Sequence, residues 1–381
     1  MIQENRLIEQ FLELVRIDSE TKQEREIADA LKKRFEELGF EVFEDDTATA
    51  TGHGAGNLIC TLAAAPGKED APAILFTCHM DTVTPGKGVK PRLDSDGYIR
   101  SDGTTILGSD DKAGIAALVE AIRALKENGA PHGKLLVVIT AGEESGLIGS
   151  RALAKSKPEM LQAAYGYAID SNGKVGDIAV AAPTQARIQI TIKGKSAHAG
   201  VNPEDGISAI QVASKAISRM PLGRIDFETT ANIGSFAGGG ATNIVCDRVD
   251  IAAEARSLVQ EKLDRQVEAM KQACESAAQE FGAKAEFASE IIYPAYKYDE
   301  SAPVVKLAMK AIENIGRTPK TFHSGGGSDA NMFNGMGIPT VNLAVGYENI
   351  HTTEEQMPVS ELTAAAKLVA EIIRLAASGE K

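Results

Sequence analysis

Short apolar runs alternate along the chain with amphipathic stretches. Runs with the length of buried strands lie at 73–78 (AILFTC), 135–140 (LLVVIT), 165–169 (YGYAI) and 340–345. In 112–128, apolar residues recur instead at i, i+3 and i+4, the spacing of one helix face. Because strands this apolar are covered on both faces, the pattern predicts an α/β fold: a mainly parallel sheet flanked by helices.

A different pattern begins near Pro183. Residues 187–193 (RIQITIK) alternate apolar and polar positions, which is typical of a half-exposed strand. The predicted order from there is strand, helix, strand, strand, helix and strand, the order of a compact α+β sandwich. We therefore predict an inserted α+β domain at 183–294 within a discontinuous larger domain that consists of 1–182 and 295–381.

Composition excludes several classes of protein. The chain has 40 Lys and Arg against 53 Asp and Glu, a net charge of −13, whereas a nucleic-acid-binding protein normally needs a basic face. No apolar run approaches the roughly 20 residues that span a bilayer, and no signal peptide is visible. The cysteines form no C-x-x-C pair. We expect a cytoplasmic protein with no nucleic-acid or membrane partner.

Acids and histidines cluster where the predicted strands end. Open α/β sheets bind ligands at the carboxyl ends of their strands, so these side chains are candidates for a common site. Singly, each has a structural explanation, such as a helix N-cap, a turn residue or a solvated acidic turn. The candidates are His79, Asp81, Asp110 or Asp111, Glu143, Glu144, Asp170 and His351.

Together these residues indicate a metal centre. Imidazole and carboxylate ligands suit zinc, cobalt or manganese. Two divalent metal ions that share one bridging carboxylate would use His79, Asp110, Glu144, Asp170 and His351. Glu143 would then remain as a general base that takes a proton from water. Asp81, two residues after His79, is expected to accept a hydrogen bond from its ring and fix the tautomer.

Several motifs occur in an order that resembles the M20 family of metallopeptidases, and most closely its tripeptide aminopeptidase branch. They are HMDT, LGSDDKAG, TAGEESGLIGS, AIDSNG, GKSAHAG and ENIHTTEE. The resemblance implies that two zinc-type ions share Asp110. It assigns His79 and Asp170 to one ion and Glu144 and His351 to the other. It also implies that the inserted domain serves as a lid and as the contact surface of a homodimer.

The same resemblance assigns substrate contacts to the inserted domain. The counterpart of His198, within KSAHAG, binds the substrate carbonyl and stabilises the oxyanion, often across a dimer interface. Asn243 and Arg256 match substrate-contacting positions. The residues themselves also allow a solvated turn histidine, a loop asparagine and an ion-paired strand arginine. Asp at position 170 accompanies aminopeptidases in this family, whereas Glu accompanies carboxypeptidases and deacylases.

We therefore expect a cocatalytic di-metal exopeptidase that acts on short peptides and releases the N-terminal residue of tripeptides. One alternative keeps the metals and changes the substrate, giving a dipeptidase or an N-acyl amino acid deacylase. The other alternative is a non-catalytic peptide-binding protein with the same fold.

Overall fold

The computed structural model describes residues 1–156 and 160–379 of the chain. The helices of this part are α1 (Glu4–Val15), α2 (Arg25–Glu37), α3 (Thr47–Thr51), α4 (Ser109–Glu127), α5 (Ile148–Ser156), α6 (Ala209–Arg219), α7 (Gln260–Phe281), α8 (Pro303–Asn314), α9 (Asp329–Gly335) and α10 (Val359–Ser378). A short 3-10 helix covers Pro203–Asp205. None of the helices in the described residues combines the length and the apolar character needed to cross a bilayer.

The strands follow the same chain order. They are β1 (Glu41–Glu44), β2 (Leu58–Leu62), β3 (Ile74–His79), β4 (Arg92–Leu93), β5 (Tyr98–Arg100), β6 (Leu135–Thr140), β7 (Tyr165–Ser171), β8 (Asp177–Ala182), β9 (Thr184–Lys193), β10 (Gly223–Arg224), β11 (Thr229–Gly238), β12 (Arg248–Ser257), β13 (Lys284–Tyr293), β14 (Tyr296–Lys297), β15 (Lys320–His323), β16 (Thr340–Ala344) and β17 (Gln356–Pro358).

The described residues divide into two compact units. The first unit comprises Met1–Ala181, Lys297–Ser324 and Ser328–Lys381, and the second comprises Ala182–Tyr296 and Gly325–Gly327. The chain therefore leaves the first unit at the last residue of β8 and returns to it within the short strand β14.

The predicted α/β fold is confirmed in the first unit. Its sheet has the strand order β1-β2-β6-β3-β7-β16-β8-β14, with β15 paired to β8. The four apolar runs of the sequence form the centre of this sheet, where β6, β3, β7 and β16 lie parallel to one another. Antiparallel pairs occur towards the edges, at β1 with β2, β2 with β6, and β16 with β8.

Strand β6 shows why these runs are apolar throughout. Leu135, Val137 and Ile139 belong to a core cluster that includes residues of α1, α4, α8 and α10. Leu136 and Val138 point to the opposite face, into a second cluster with side chains of α5 and α9. Since both faces of the strand are covered by helices, every position is buried and no polar alternation remains.

The second unit has the half-exposed pattern that the sequence predicts. Its antiparallel sheet has the order β10-β11-β12-β9-β13. Along β9, Ala186, Ile188, Ile190 and Ile192 are buried in a cluster with side chains of α6 and α7, while the residues between them are more exposed. One face of the sheet thus packs on two helices, as expected for an α+β sandwich.

Candidate active site

The predicted ligands meet at one edge of the sheet in the first unit. His79 is the last residue of β3, and Asp170 is close to the end of β7. Glu144 follows β6, and His351 lies in the loop after β16. Asp110 lies where α4 begins, with backbone angles that are not helical. Because β3, β6, β7 and β16 are parallel, their carboxyl ends bring these segments together.

Asp110 lies at the centre of this cluster. Its Oδ1 is 3.0 Å from His79 Nε2, and its Oδ2 is 3.3 Å from His351 Nε2. Asp170 Oδ1 approaches the same His79 nitrogen at 3.6 Å, and Glu144 Oε1 approaches the His351 nitrogen at 3.0 Å. The two oxygens of Asp110 therefore face two different sets of side chains.

The chemistry of the cluster fits divalent metal ions. In the described part of the chain, ligand atoms of His79, Asp110 and Glu144 lie within 4.8 Å of one another, as do those of His79, Asp111 and Asp170. Imidazole and carboxylate donors at this spacing suit zinc, cobalt or manganese. Asp111 adds a buried carboxylate whose Oδ1 has no hydrogen-bond partner among the residues that the structure describes. Its Oδ2 accepts the His79 N–H at 3.2 Å, so the residue also holds a ligand segment.

Burial of several carboxylates at one place shifts their proton equilibria. Burial, followed by the charge of Asp170, raises the pKa of Asp111 well above its usual value. Burial raises the pKa of Asp170 to about 7, with the charge of Asp110 adding to the effect. Burial likewise raises the pKa of Glu143. The protein therefore concentrates negative charge where only a bound cation or a proton can offset it.

The central carboxyl shows the opposite shift. Burial alone would raise the pKa of Asp110, but hydrogen bonds from His351 and His79 outweigh burial and hold it well below its usual value. The hydrogen bonds to Asp110 and Glu144 raise the pKa of His351 to about 10. Asp110 is thus the member of the cluster most strongly kept as a carboxylate, the form that a bridging ligand requires.

Asp81 contacts the loop that carries the two adjacent glutamates. The His79 ring donates from Nδ1 to the main-chain oxygen of Asp81 at 2.9 Å, while a carboxylate oxygen lies 3.6 Å away. The carboxylate itself accepts the N–H groups of Glu143 at 2.9 Å and Glu144 at 3.3 Å, and the Thr21 hydroxyl at 2.7 Å. The spacing of two residues predicts that the Asp81 carboxylate lies on the same strand face as His79, but β3 ends at His79 and Asp81 lies beyond the strand.

Other side chains, which the sequence analysis left without a role, hold the segments around the cluster. Tyr347 donates its hydroxyl to Asp170 Oδ1 at 3.3 Å. The Asn342 side chain accepts the Asp170 N–H at 3.1 Å and donates to the Asp170 carbonyl at 3.2 Å. Tyr347 lies within the motif VGYENIH, so its distance of four residues from His351 was the available signal.

Asp329 closes the loop that carries Glu143 and Glu144. This buried carboxylate accepts hydrogen bonds from the hydroxyls of Thr140, the last residue of β6, and Ser150 in α5. The two partners flank the loop on either side, so one carboxylate fixes both of its ends. A carboxylate surrounded by glycine and serine in SGGGSDAN was the only sequence signal for it.

The second unit brings two of its predicted residues into neighbouring segments. His198 and Ile244 form an antiparallel bridge, and the Ala199 N–H donates to the carbonyl of Asn243 at 2.9 Å. The His198 ring accepts the Gly200 N–H at Nδ1, which leaves Nε2 on the other side of the ring. Both His198 and Asn243 are exposed.

Arg256 lies on β12 of the same unit. Its guanidinium donates to both carboxylate oxygens of Glu254, at 2.9 and 3.0 Å, and contacts the carbonyl of Gly325 at 3.4 Å. Although burial alone would lower the pKa of Arg256, the hydrogen bonds to Glu254 raise it. The ion pair is the structural use that the sequence also allowed, and all three guanidinium nitrogens take part in these contacts.

Comparison with known proteins identifies the family. The profile of Peptidase family M20/M25/M40 matches residues 75–375, which is most of the chain. The chain belongs to this peptidase family. Because peptidases of this family are metal-dependent, this chain is a metal-dependent peptidase, which agrees with the ligand cluster of the first unit.

Several relatives match this chain over nearly its whole length. It is 60% identical over 377 residues to the uncharacterized protein YqjE of Bacillus subtilis (strain 168), covering 99% of this chain and 100% of that protein. The crystal structure of aminopeptidase PepT from Bacillus cereus ATCC 10987 is 59% identical, with a TM-score of 0.91 and 99% of both chains covered. A tripeptidase structure from Staphylococcus aureus subsp. aureus Mu50 is 50% identical, with a TM-score of 0.95 and coverage of 99% and 100%.

Proposed function

We propose that this peptidase is a tripeptide aminopeptidase that uses two divalent metal ions, either zinc or, with the same ligands, cobalt or manganese. The observation that carries the proposal is the placement of Asp110, whose two carboxylate oxygens face different imidazoles. In this proposal Asp110 would be a ligand of both ions. His79 and Asp170 would hold one ion with it, and Glu144 and His351 would hold the other.

The choice of substrate rests on two arguments. The chain resembles an aminopeptidase and a tripeptidase at 59% and 50% identity over almost its full length. It also carries Asp at position 170, the residue that the family resemblance associates with aminopeptidases. Both arguments favour release of the N-terminal residue of a tripeptide over removal of a C-terminal residue or an acyl group.

The bound ions would polarise the carbonyl of the peptide bond and make water more acidic. Glu143 takes a proton from the attacking water at its carboxylate, the water oxygen adds to the carbonyl carbon, and the C–N bond then breaks. The same carboxyl returns its proton to the departing amine nitrogen. Asp81 holds the N–H groups of Glu143 and Glu144, so it keeps the base and a ligand in a fixed relation.

The proposal gives His198 the task of stabilising the negative charge that develops on the carbonyl oxygen. Asn243 and Arg256 contact the substrate in the same scheme. The active form is proposed to be a homodimer, in which His198 acts either in its own subunit or towards the partner copy.

The test begins with metal-free protein reloaded with Zn²⁺, Co²⁺ or Mn²⁺, with the bound metal counted by mass spectrometry. Rates are measured on Leu-Gly-Gly, Leu-Gly, acetylated Leu-Gly-Gly and N-acetyl-leucine. We expect two ions per chain and Leu-Gly-Gly as the best substrate, with leucine and Gly-Gly as products. Acetylation should block hydrolysis because the free amino group is lost.

The alternatives give other products. A dipeptidase would prefer Leu-Gly, a deacylase would release acetate from N-acetyl-leucine, and a carboxypeptidase would release glycine and Leu-Gly. A peptide-binding protein would retain Leu-Gly-Gly without turnover in all metal forms. Any of these results would overturn the proposed substrate or activity.

A further inference from the structure

Glu355 connects two ligand segments that are far apart in the sequence. It follows His351 by four residues in the motif ENIHTTEE, and it is only 2% exposed. Its carboxylate accepts four hydrogen bonds from the segment that ends at Asp110. The donors are the N–H groups of Leu107 (2.8 Å), Gly108 (2.7 Å) and Asp110 (3.1 Å) and the hydroxyl of Ser109 (2.5 Å).

These contacts replace the ordinary start of a helix. The first N–H groups of a helix lack partners within the helix and need an external acceptor. Gly108, at the N-cap position of α4, has no side chain that could act as this acceptor, and the backbone of Asp110 and Asp111 is not helical. The carboxylate of Glu355 supplies the acceptor, so the backbone of Asp110 is held by a residue from the His351 segment and not by its own helix.

The loop that contains His351 is also held by hydrogen bonds. Glu348 and Gln356 pair through both main-chain hydrogen bonds, at 2.9 and 3.0 Å, and close the base of the loop that contains His351. His351 itself has a φ of +63°, a left-handed conformation that residues other than glycine adopt only when their surroundings impose it. The loop is therefore closed at its base, next to Glu355, which accepts the hydrogen bonds from the Asp110 segment.

We propose that Glu355 is a positioning residue that sets the distance between the Asp110 carboxylate and the His351 imidazole, and so tunes the affinity of this pair for a divalent ion. The inference rests on the proposed function, in which Asp110 and His351 are ligands. It adds that the ion bound through His351 depends on a side chain that touches neither the ion nor the substrate.

The substitution Glu355→Gln tests this directly. Three of the four donors are main-chain N–H groups, which can only donate. A glutamine amide offers one acceptor oxygen, and its NH₂ group would face either the Leu107 and Gly108 N–H groups or the Asp110 N–H. Glu354→Gln is the matched control, because it makes the same charge change at the adjacent, exposed position.

Metal binding is the primary measurement. Metal-free protein is titrated with Co²⁺, followed by visible absorption and by calorimetry. We expect Glu355→Gln to weaken one of the two binding steps by about 10- to 100-fold and to alter the absorption of the weaker site. On Leu-Gly-Gly, kcat should fall while KM changes little. Glu354→Gln should match the unsubstituted chain in both binding and turnover.

Ser109→Ala keeps the test decisive if Glu355→Gln does not fold. This variant removes one of the four hydrogen bonds and leaves the carboxylate in place, so the same binding step should weaken about threefold. Wild-type Co²⁺ binding by folded Glu355→Gln would overturn the inference. Wild-type binding by Ser109→Ala, where Glu355→Gln is unfolded, would also overturn it.

The design separates the two proposals. If the unsubstituted chain binds no metal or hydrolyses no peptide, the proposed function is rejected by that result, before any variant is compared. If the unsubstituted chain binds Co²⁺ and hydrolyses Leu-Gly-Gly, and Glu355→Gln behaves identically, only the role of Glu355 is rejected.

Discussion

The two groups of predicted site residues differ in how the protein holds them. In the first unit, His79, Asp110 and Asp170 are largely buried, and both carboxylates lie within hydrogen-bonding or ion-pairing distance of the His79 ring. In the second unit, His198 and Asn243 are exposed and held mainly through the main chain of their loops. The first group is costly to bury unless a cation offsets its charge, whereas the second group costs the fold almost nothing.

The contrast shows what kind of evidence each group supplies. Buried carboxylates with raised pKa values demand a chemical explanation, and a metal centre provides one. An exposed histidine needs no such chemical explanation, so the role of His198 has to be established by measuring the reaction rate. A perturbation that alters one group and leaves the other unchanged therefore tests each assignment separately.

Removal of the metal should have the largest effect. We expect a chelator to abolish hydrolysis and stoichiometric Zn²⁺ to restore it. Metal at 1,000 times its dissociation constant adds about 4 kcal/mol to the free energy of unfolding of the part that binds it. Hydrogen exchange should therefore slow around residues 79–81, 107–111, 140–147 and 347–355 on metal addition. Equal slowing in β11 and β12 of the second unit would contradict the assignment.

The next largest effect is expected for Glu143→Gln. Loss of the general base should lower kcat on Leu-Gly-Gly by up to about 10⁴-fold. The metal content should stay at the wild-type value, because the residue is not one of the proposed ligands and its N–H still bonds to Asp81. Full activity in this variant, or parallel loss of metal, would reject the assigned base.

His198→Ala should lower kcat by about 10²- to 10³-fold, the usual cost of losing one oxyanion donor. Because the side chain is exposed, the free energy of unfolding should change by no more than about 0.5 kcal/mol. Mixing this variant with Glu143→Gln distinguishes the two versions of the proposal. Recovered activity in hybrid dimers means that His198 acts on the partner copy, and no recovery means that it acts in its own subunit.

The smallest effect is expected for Tyr347→Phe, which removes the hydroxyl that contacts Asp170. We expect metal affinity to fall by about 10-fold. Tyr167→Phe is the matched control, since that buried hydroxyl donates to the carbonyl of Val304. The control should cost about 1 kcal/mol of unfolding free energy and leave metal affinity unchanged. If both variants bound metal with the same affinity, the Tyr347 hydroxyl would have no role in metal binding.

The parallel centre of the sheet was predictable because burial on both faces leaves a direct trace in the sequence. The four apolar runs 73–78, 135–140, 165–169 and 340–345 correspond to β3, β6, β7 and β16. The convergence of His79, Glu144, Asp170 and His351 followed from the parallel strands, whereas Asp110 lies where α4 begins.

The supporting contacts were not predictable from spacing. Asp329 reaches Thr140 and Ser150 across well over a hundred residues, and Asn342 reaches Asp170 in the same way. Hydrogen bonds between distant segments leave no periodic signal, and serine, threonine and asparagine are ordinary loop residues. The position of the Asp81 carboxylate relative to the His79 ring was not predicted either. The end of a strand can be placed from the sequence only with an error of one or two residues.

The order of the proposed ligands along the chain has a consequence for biosynthesis. Asp170 precedes the second unit in the sequence, and His351 follows it. During translation, four of the five ligands are made before this unit, and the fifth emerges only after it is complete. A ribosome-bound chain that ends before residue 351 therefore lacks an imidazole on one side of Asp110, and the proposed two-ion centre can be completed only near the end of synthesis or after release.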